Sequence, residues 1–225
     1  MNTRVFSPNL TSELLVKSAI QETNLLIVDK NNYKLLDLGS GGCHVGVQVA
    51  KSLGLSQIYS SDLDVATLEV AANAAKLSAI KIDHRIGNLL MPWAEEKFDI
   101  IIDDVSGVSQ PIAEISPWFQ GVPCSSGECG TLLVQRVLKE ANKHLTTNGS
   151  IIFPVISLSA GHKIISTAKE NFKNVKLLQR MEWPLPKSML KFKDILVEHK
   201  ENENIFYREQ FGMIICYTEI YLAYN

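Results

Sequence analysis

No stretch of this sequence supplies the roughly 18 uninterrupted apolar residues that a membrane-spanning helix requires, and the opening residues "MNTRVFSPNLTSELLVK" hold no apolar run of the secretory kind. The expectation is a cytoplasmic protein without a membrane partner. Cysteine is scarce as well. Cys43, Cys124, Cys129 and Cys216 lack the close paired spacing of a zinc site, so free thiols are expected and a disulfide framework is not. The five histidines form no metal-binding pattern either, and no metal is expected. Charge of one sign is missing too: the net charge is −2, and the one compact basic run, Lys187 to Lys193, is followed by Glu198, Glu201 and Glu203. A protein that tracks nucleic acid usually carries a basic face, so a nucleic-acid partner is not expected. Internal repeats and low-complexity segments are absent.

What is present is ordinary globular material, 46% hydrophobic and 20% charged. A chain of 225 residues suits one α/β domain with a substantial core. The expected organisation is a single domain over 1–225, with a helical cap over 1–30, a cofactor-binding core over 31–155 and a C-terminal part over 156–225 that completes the sheet and the substrate side.

Five strand-like stretches alternate with helical patterns. The strands are expected at Tyr33 to Leu38, Gln57 to Ser61, Ile80 to Ile86, Phe98 to Asp103 and Ser150 to Val155. Helices are expected at Pro8 to about Gln21, capped by Thr11 or Ser12, and then at His44 to Leu53, Val65 to Leu77, Thr131 to Leu145 and about Ala160 to Phe172. Such alternation implies a parallel sheet covered on both faces. Val175 to Gln179 and Gly212 to Ala223 read as two further strands, the last antiparallel, around a helix-prone piece from Lys187 to about Lys200.

The first strand runs into "LLDLGSGGCHVGVQVAKSLG", three glycines in four residues followed by a helix. Glycine lets a ligand approach the main chain closely, and the helix start offers free N–H donors at the carboxyl end of the sheet, where open α/β folds bind ligands. A dinucleotide fingerprint requires a third glycine where His44 stands. The alternative is an S-adenosylmethionine turn, in which Asp37, two residues before Gly39, meets the amino-acid end of the cofactor; the plainer reading of Asp37 is a cap on a neighbouring turn. Asp62 ends the second strand, where its two oxygens suit the ribose hydroxyls, while Asp64 is better placed to cap the next helix. Asn88, after the third strand, suits an adenine edge with Leu89 packed on the ring; a polar turn is the plainer alternative.

In this order, "PNLTSELLV", "LLDLGSGGCHVGV", "SSDLDVATLEVAANAAK", "GNLLMPWAEEKFDIII" and "SSGECGTLLVQRVLKEANKHLTTNGSIIF" resemble the class I S-adenosylmethionine-dependent methyltransferases, most of all the HemK/PrmC branch, over roughly Val5 to Pro154. The resemblance implies a Rossmann-like α/β fold with a seven-stranded, mostly parallel sheet, an antiparallel last strand and helices on both faces. It implies S-adenosyl-L-methionine as cofactor. It places cofactor roles on Asp37, Gly39, Gly41, Asp62 with its neighbour Leu63, Asn88 and Leu89, and on Ser12 in the helix that closes over the methionine end. The usual third glycine of the turn falls at Cys43, where Gly42 can compensate.

The branch carries "NPPY" after its fourth strand to hold a planar amide. Here "DVSG", Asp104 to Gly107, stands instead. Asp104 is expected beside the transferred methyl group as a hydrogen-bond acceptor or general base, with Asp103 raising its pKa; the alternative is a solvated strand-end acid that binds a loop backbone. The long segment from Val105 to about Gly127 reads as a lid or binding loop. Ser106, Trp118, Phe119 and, across the site, Trp183 in "EWPLP" are the candidate substrate contacts, with Glu114 a polar candidate equal to Ser106; packing of Trp118 and Phe119 onto the sheet edge is the equal alternative to pocket lining. A plain surface turn is the simpler reading of "EWPLP". The expected reaction is methyl transfer to a nitrogen or oxygen nucleophile of a small or medium organic acceptor. Protein glutamine-type methylation and a non-catalytic S-adenosylmethionine-binding module are the alternatives. The oligomeric state is not legible here.

Overall fold

The computed structural model describes residues 6–27, 29–122 and 124–225, with no side-chain detail for residues 25 and 26. Val5, where the family resemblance begins, and Pro123 of the expected loop lie outside the described residues. Eight strands form one sheet: β1 (Leu35–Leu38), β2 (Gln57–Asp62), β3 (Lys81–Ile86), β4 (Phe98–Asp103), β5 (Leu145–Ile156), β6 (Asn174–Pro184), β7 (Arg208–Gln210) and β8 (Met213–Tyr224). The order is β3-β2-β1-β4-β5-β8-β6, with the three-residue β7 paired to β8. Strands β1 to β5 run parallel, and β8 enters antiparallel between β5 and β6. The expected seven-stranded arrangement is therefore present, with β7 as a short addition.

Among the described residues seven α-helices accompany it: α1 (Leu10–Leu26), α2 (His44–Leu53), α3 (Thr67–Ser78), α4 (Gln110–Ile115), α5 (Leu132–Glu140), α6 (Gly161–Asn171) and α7 (Lys193–Glu201). The cap of α1 is Asn9, whose Oδ1 accepts the Thr11 and Ser12 N–H groups at 2.8 and 3.3 Å; neither Thr11 nor Ser12 is the cap itself. The expected Thr131 to Leu145 helix is α5 followed by a tighter 3-10 turn at Ala141–His144.

Side chains alternate across the strands and so sort into two cores. Leu36, Leu38 and Ile101 pack under α5 and α6 with Val134, Val137 and Ile164. Leu35, Ile100 and Ile102 pack on the other face with Leu15 of α1 and Val45 and Val49 of α2. A third cluster caps the carboxyl rim: Val108 and Ile112 from the segment after β4 meet Trp183, Leu185, Met189, Leu196 and Tyr207. The "EWPLP" stretch is accordingly no surface turn. Trp183 and Pro184 finish the outer strand β6, where a proline is tolerated, and Leu185 is buried.

Candidate active site

Strands β1 and β4 are neighbours although β2 and β3 lie between them in sequence, so helices leave the sheet in opposite directions at their carboxyl ends and open a crevice. A cavity of about 530 Å³ fills it.

The turn after β1 forms its floor. Gly39, Gly41 and Cys43 all have positive φ, 71°, 48° and 58°. Gly39 and Ser40 donate their N–H groups to the Ser61 carbonyl at 2.9 and 3.1 Å, tying the turn to β2. Cβ at Gly39 would stand 2.9 Å from Cγ1 of Val105, so the turn is also wedged against the end of β4. Cys43 holds the left-handed conformation with a side chain, at a strain of about 1 kcal/mol or more. Its thiol lies 3.4 Å from Ser60 Oγ, and burial pushes the thiol up to about 11, which keeps it protonated and inert. Cys43→Gly is expected to be stability-neutral within about 1 kcal/mol, because relieved strain offsets the lost thiol packing. A thermal melt checks this, and a drop above about 5 °C would show the thiol to be structurally required.

Asp62 reaches the cavity wall. Its Oδ2 accepts the Gly41 N–H at 2.9 Å and its Oδ1 the Asp64 N–H at 3.0 Å. Asp64 caps the chain entering α3 through the Ala66 N–H at 2.9 Å. Leu63, Asn88 and Leu89 line the same end of the cavity, with Leu89 held at φ 53°.

Asp37 lies under the turn. It is fully buried, does not line the cavity, and accepts the N–H of Gly46 through Oδ2 at 2.8 Å. Gly46 is in the first turn of α2, so this carboxyl holds the helix onto β1. Its Oδ1 has no hydrogen-bond partner among the described residues. Burial, with the charge of Asp62 adding to it, pushes Asp37 up to about 7.

The two acids ending β4 face opposite ways. Asp103 follows Ile101 toward the α5 side, is fully buried and does not line the cavity; its Oδ1 accepts the Val105 N–H at 3.3 Å, its Oδ2 has no partner among the described residues, and burial pushes it up to about 7. Asp104 follows Ile102 toward α1 and lines the cavity beside Ser12. Its carboxyl is raised well above the usual range by burial first, then by Asp37 and then Asp103, with the Ser12 hydroxyl opposing the shift. The acid that couples more strongly to Asp104 is thus Asp37, across the strand pair.

The far wall is aromatic. Trp118 and Trp183 meet edge to face at 5.7 Å and 90°, and Phe119 packs on Phe6 at 5.3 Å. Ser106 lines the cavity, whereas Glu114 is exposed and accepts a hydrogen bond from Gln110 Nε2 at 3.3 Å. The segment expected as a lid is folded: α4 sits in it, Ser109 N–H reaches the Leu158 carbonyl at 2.7 Å, and the Ser126 hydroxyl bonds the Val108 carbonyl.

Sequence reasoning did not single out Gly46, Phe6 or the Thr11–Thr218 pair. The Thr11 and Thr218 hydroxyls lie 3.0 Å apart and Thr218 accepts the Trp183 indole N–H at 3.0 Å, fixing that ring. Only Gly46 left a signal, a glycine inside a helical pattern. Among the described residues no His, Cys, Asp or Glu group could hold a metal, and no helix is long and apolar enough to cross a membrane.

Comparison with known proteins agrees with this geometry. A release factor glutamine methyltransferase of Flavobacterium psychrophilum is 26% identical over 186 residues, 79% of this chain and 64% of that protein. A ribosomal protein L11 methyltransferase of Dictyoglomus thermophilum is 28% identical over 153 residues, 68% of this chain and 42% of that one. The chain spans less than two-thirds of the length of these curated relatives. A crystal structure of the ribosomal protein L11 methylase from Lactobacillus delbrueckii subsp. bulgaricus superposes with a TM-score of 0.58 at 16% identity, covering 96% of this chain and 80% of that one. Residues 29–210 match the family described as "Methyltransferase domain". With most of its length in that match, the chain belongs to the methyltransferase-domain family.

Proposed function

We propose that this enzyme methylates a nitrogen atom of a protein substrate, working in the cytoplasm as one domain over 1–225. The observation that carries the reading is Asp104, set on the cavity wall at the end of β4 beside α1. The small organic acceptor expected from the altered strand end has less support than a protein acceptor, because the relatives at 26% and 28% identity are named for a release factor and a ribosomal protein.

The residues present fit the cofactor. The turn over Gly39 to Gly42 offers bare peptide, Asp62 keeps lone pairs free beyond its two backbone bonds, and Asp37 keeps an unpartnered oxygen behind the turn. Gly39, Gly41 and Ser12 would hold the amino-acid end, with Asp37 behind the turn drawing its ammonium group by charge, Asp62 and Leu63 the ribose, and Asn88 and Leu89 the adenine. S-adenosyl-L-methionine supplies a methyl group already activated by its sulfonium charge.

What remains for the chain is alignment, exclusion of water and handling of a proton. Trp118, Phe119 and Trp183 close the acceptor side against water, and Ser106 adds a polar contact. Asp104 accepts the proton that the nitrogen sheds, and its desolvated carboxyl is the more basic for being buried. Asp103 is a positioning residue that holds the Val105 N–H and thereby the start of the loop.

Asp104→Ala is expected to lower turnover about 100-fold or more while S-adenosylhomocysteine affinity changes less than about threefold. Methyl-labelled cofactor, offered to separated protein and metabolite pools, is expected to label protein. Label confined to the low-mass pool would overturn the protein acceptor, and unchanged turnover in Asp104→Ala would remove Asp104 from the reaction.

A further inference from the structure

Resting on that reading, we propose that the acceptor is an amine which enters the chamber as a cation, recognised by the Asp104 carboxylate together with the right-angled corner formed by Trp118 and Trp183.

The charge distribution of the cavity is one-sided. Asp62, Asp64 and Asp104 line it and Asp37 lies behind the turn, while no lysine or arginine is among the described residues of its wall. Asp62 and Asp64 are each tied to backbone N–H groups at 2.9 to 3.0 Å, and the lone pairs left on Asp62 face the ribose position. No backbone N–H reaches the Asp104 side chain among the described residues. The groups that face Asp104 are Asp37 from β1, Asp103 from β4 and Ser12 from α1, two acids and a neutral hydroxyl. An asparagine offers a neutral amide a fixed donor beside its acceptor; the Asp104 carboxyl, which burial and its acidic neighbours hold protonated in the ligand-free chamber, has no partner for its charge until a cation arrives. A cation gains from the carboxylate instead, through a charge-assisted hydrogen bond.

The aromatic corner points the same way. Tryptophan is the strongest cation-binding ring, and both members of this right-angled pair line the cavity. Trp183 is anchored by its N–H, leaving the ring as a fixed wall. Elsewhere the protein covers its own rings: Arg85 stands 4.0 Å over Trp93 and Arg180 3.8 Å over Tyr217. Among the described residues Trp118 and Trp183 carry no such partner. Once seated, the ammonium passes one proton to Asp104: an N–H bond breaks, an O–H bond forms, and the neutral amine keeps its lone pair for reaction.

The test is calorimetry at pH 8 on the full chain saturated with S-adenosylhomocysteine, using Nα-acetyl-lysine methylamide and Nα-acetyl-glutamine methylamide as probes. The lysine probe is expected to bind at least about tenfold more tightly. Asp104→Asn is expected to remove that preference, and Trp118→Leu to weaken the lysine probe by about threefold or more; each variant's heat with S-adenosylhomocysteine shows that it is folded. Tighter glutamine binding, equal binding, no binding of either probe, or a preference that survives Asp104→Asn overturns the inference and leaves the methyltransferase reading standing. Absence of heat with S-adenosylhomocysteine in the unmodified chain overturns both.

Discussion

Gly46→Ala is expected to lower the melting temperature by roughly 6–12 °C, the equivalent of about 3 kcal/mol in a chain of this size. Intrinsic helix propensity argues for the opposite sign, since alanine in a helix interior is favoured over glycine by about 1 kcal/mol. The contact decides. An added Cβ would stand 2.7 Å from Oδ2 and 2.8 Å from Cβ of Asp37, and 3.0 Å from Cδ1 of Ile58. The two Asp37 atoms cannot yield: Asp37 is fully buried in a central strand, and its Oδ2 accepts the N–H of Gly46 itself at 2.8 Å. Relief requires α2 to lift from β1, which breaks that bond and tilts the turn beneath the cofactor. S-adenosylhomocysteine should accordingly bind less tightly. Gly42→Ala is the control, because its nearest neighbour beyond the turn is Val70 Cγ1 at 3.4 Å; a change within about 0.5 kcal/mol is expected there. Side-by-side melts measure the difference, and a Gly46→Ala variant as stable as its parent would show that the helix start does not depend on this packing.

The same position shows how far the sequence could be read. The glycine fingerprint of dinucleotide sites fails at His44. The packing job of a third glycine is done two residues later, by Gly46, a fact that depends on which face of α2 meets β1 and so on the register of the finished fold. Strands with clean apolar runs, β1, β2 and β4, were legible to within two residues at either end. By contrast β5 begins at Leu145, five residues before the expected Ser150, because "LTTNG" is polar and pairs only irregularly with β4. Strand β6 continues through Trp183 and Pro184, whose proline reads as a turn until its place at the sheet edge is known. Strand β7, three residues long, is too short for any periodic signal. Asp103 and Asp104 were read as an adjacent pair; strand alternation puts them on opposite faces. The partner of Asp104, Asp37, is visible only once β1 lies beside β4 with Asp37 next to Ile102.

That buried pairing makes the ligand-free enzyme sensitive to alkali. Asp37 stands at about 7 in the fold against a usual 3.8, and Asp103 likewise. A raised carboxyl binds more protons in the folded state than in the unfolded one, so its stabilising contribution is fully present below about pH 4 and is lost as pH rises through 7. For one such group the loss between pH 5 and pH 8 is roughly 2–3 kcal/mol, or about 5–10 °C of melting temperature. Asp37→Asn removes that charge while keeping an oxygen for the Gly46 N–H. The variant is therefore expected to melt near its parent at pH 5, about 5–10 °C above it at pH 8, and with a shallower pH slope, the rest belonging to Asp103 and Asp104. The gain has a functional cost: a cationic ligand loses the attraction of the Asp37 charge behind the turn, so S-adenosylmethionine should stabilise Asp37→Asn less than it stabilises the parent. Buried charge without a partner is thus a strain that the cofactor relieves, with protons released as it binds at neutral pH. Melting curves at the two pH values, with and without cofactor, measure all of this. A parent whose melting temperature holds or rises from pH 5 to pH 8, and an Asp37→Asn variant that tracks it, would show that the acids beneath the turn are ionised at no expense to the fold.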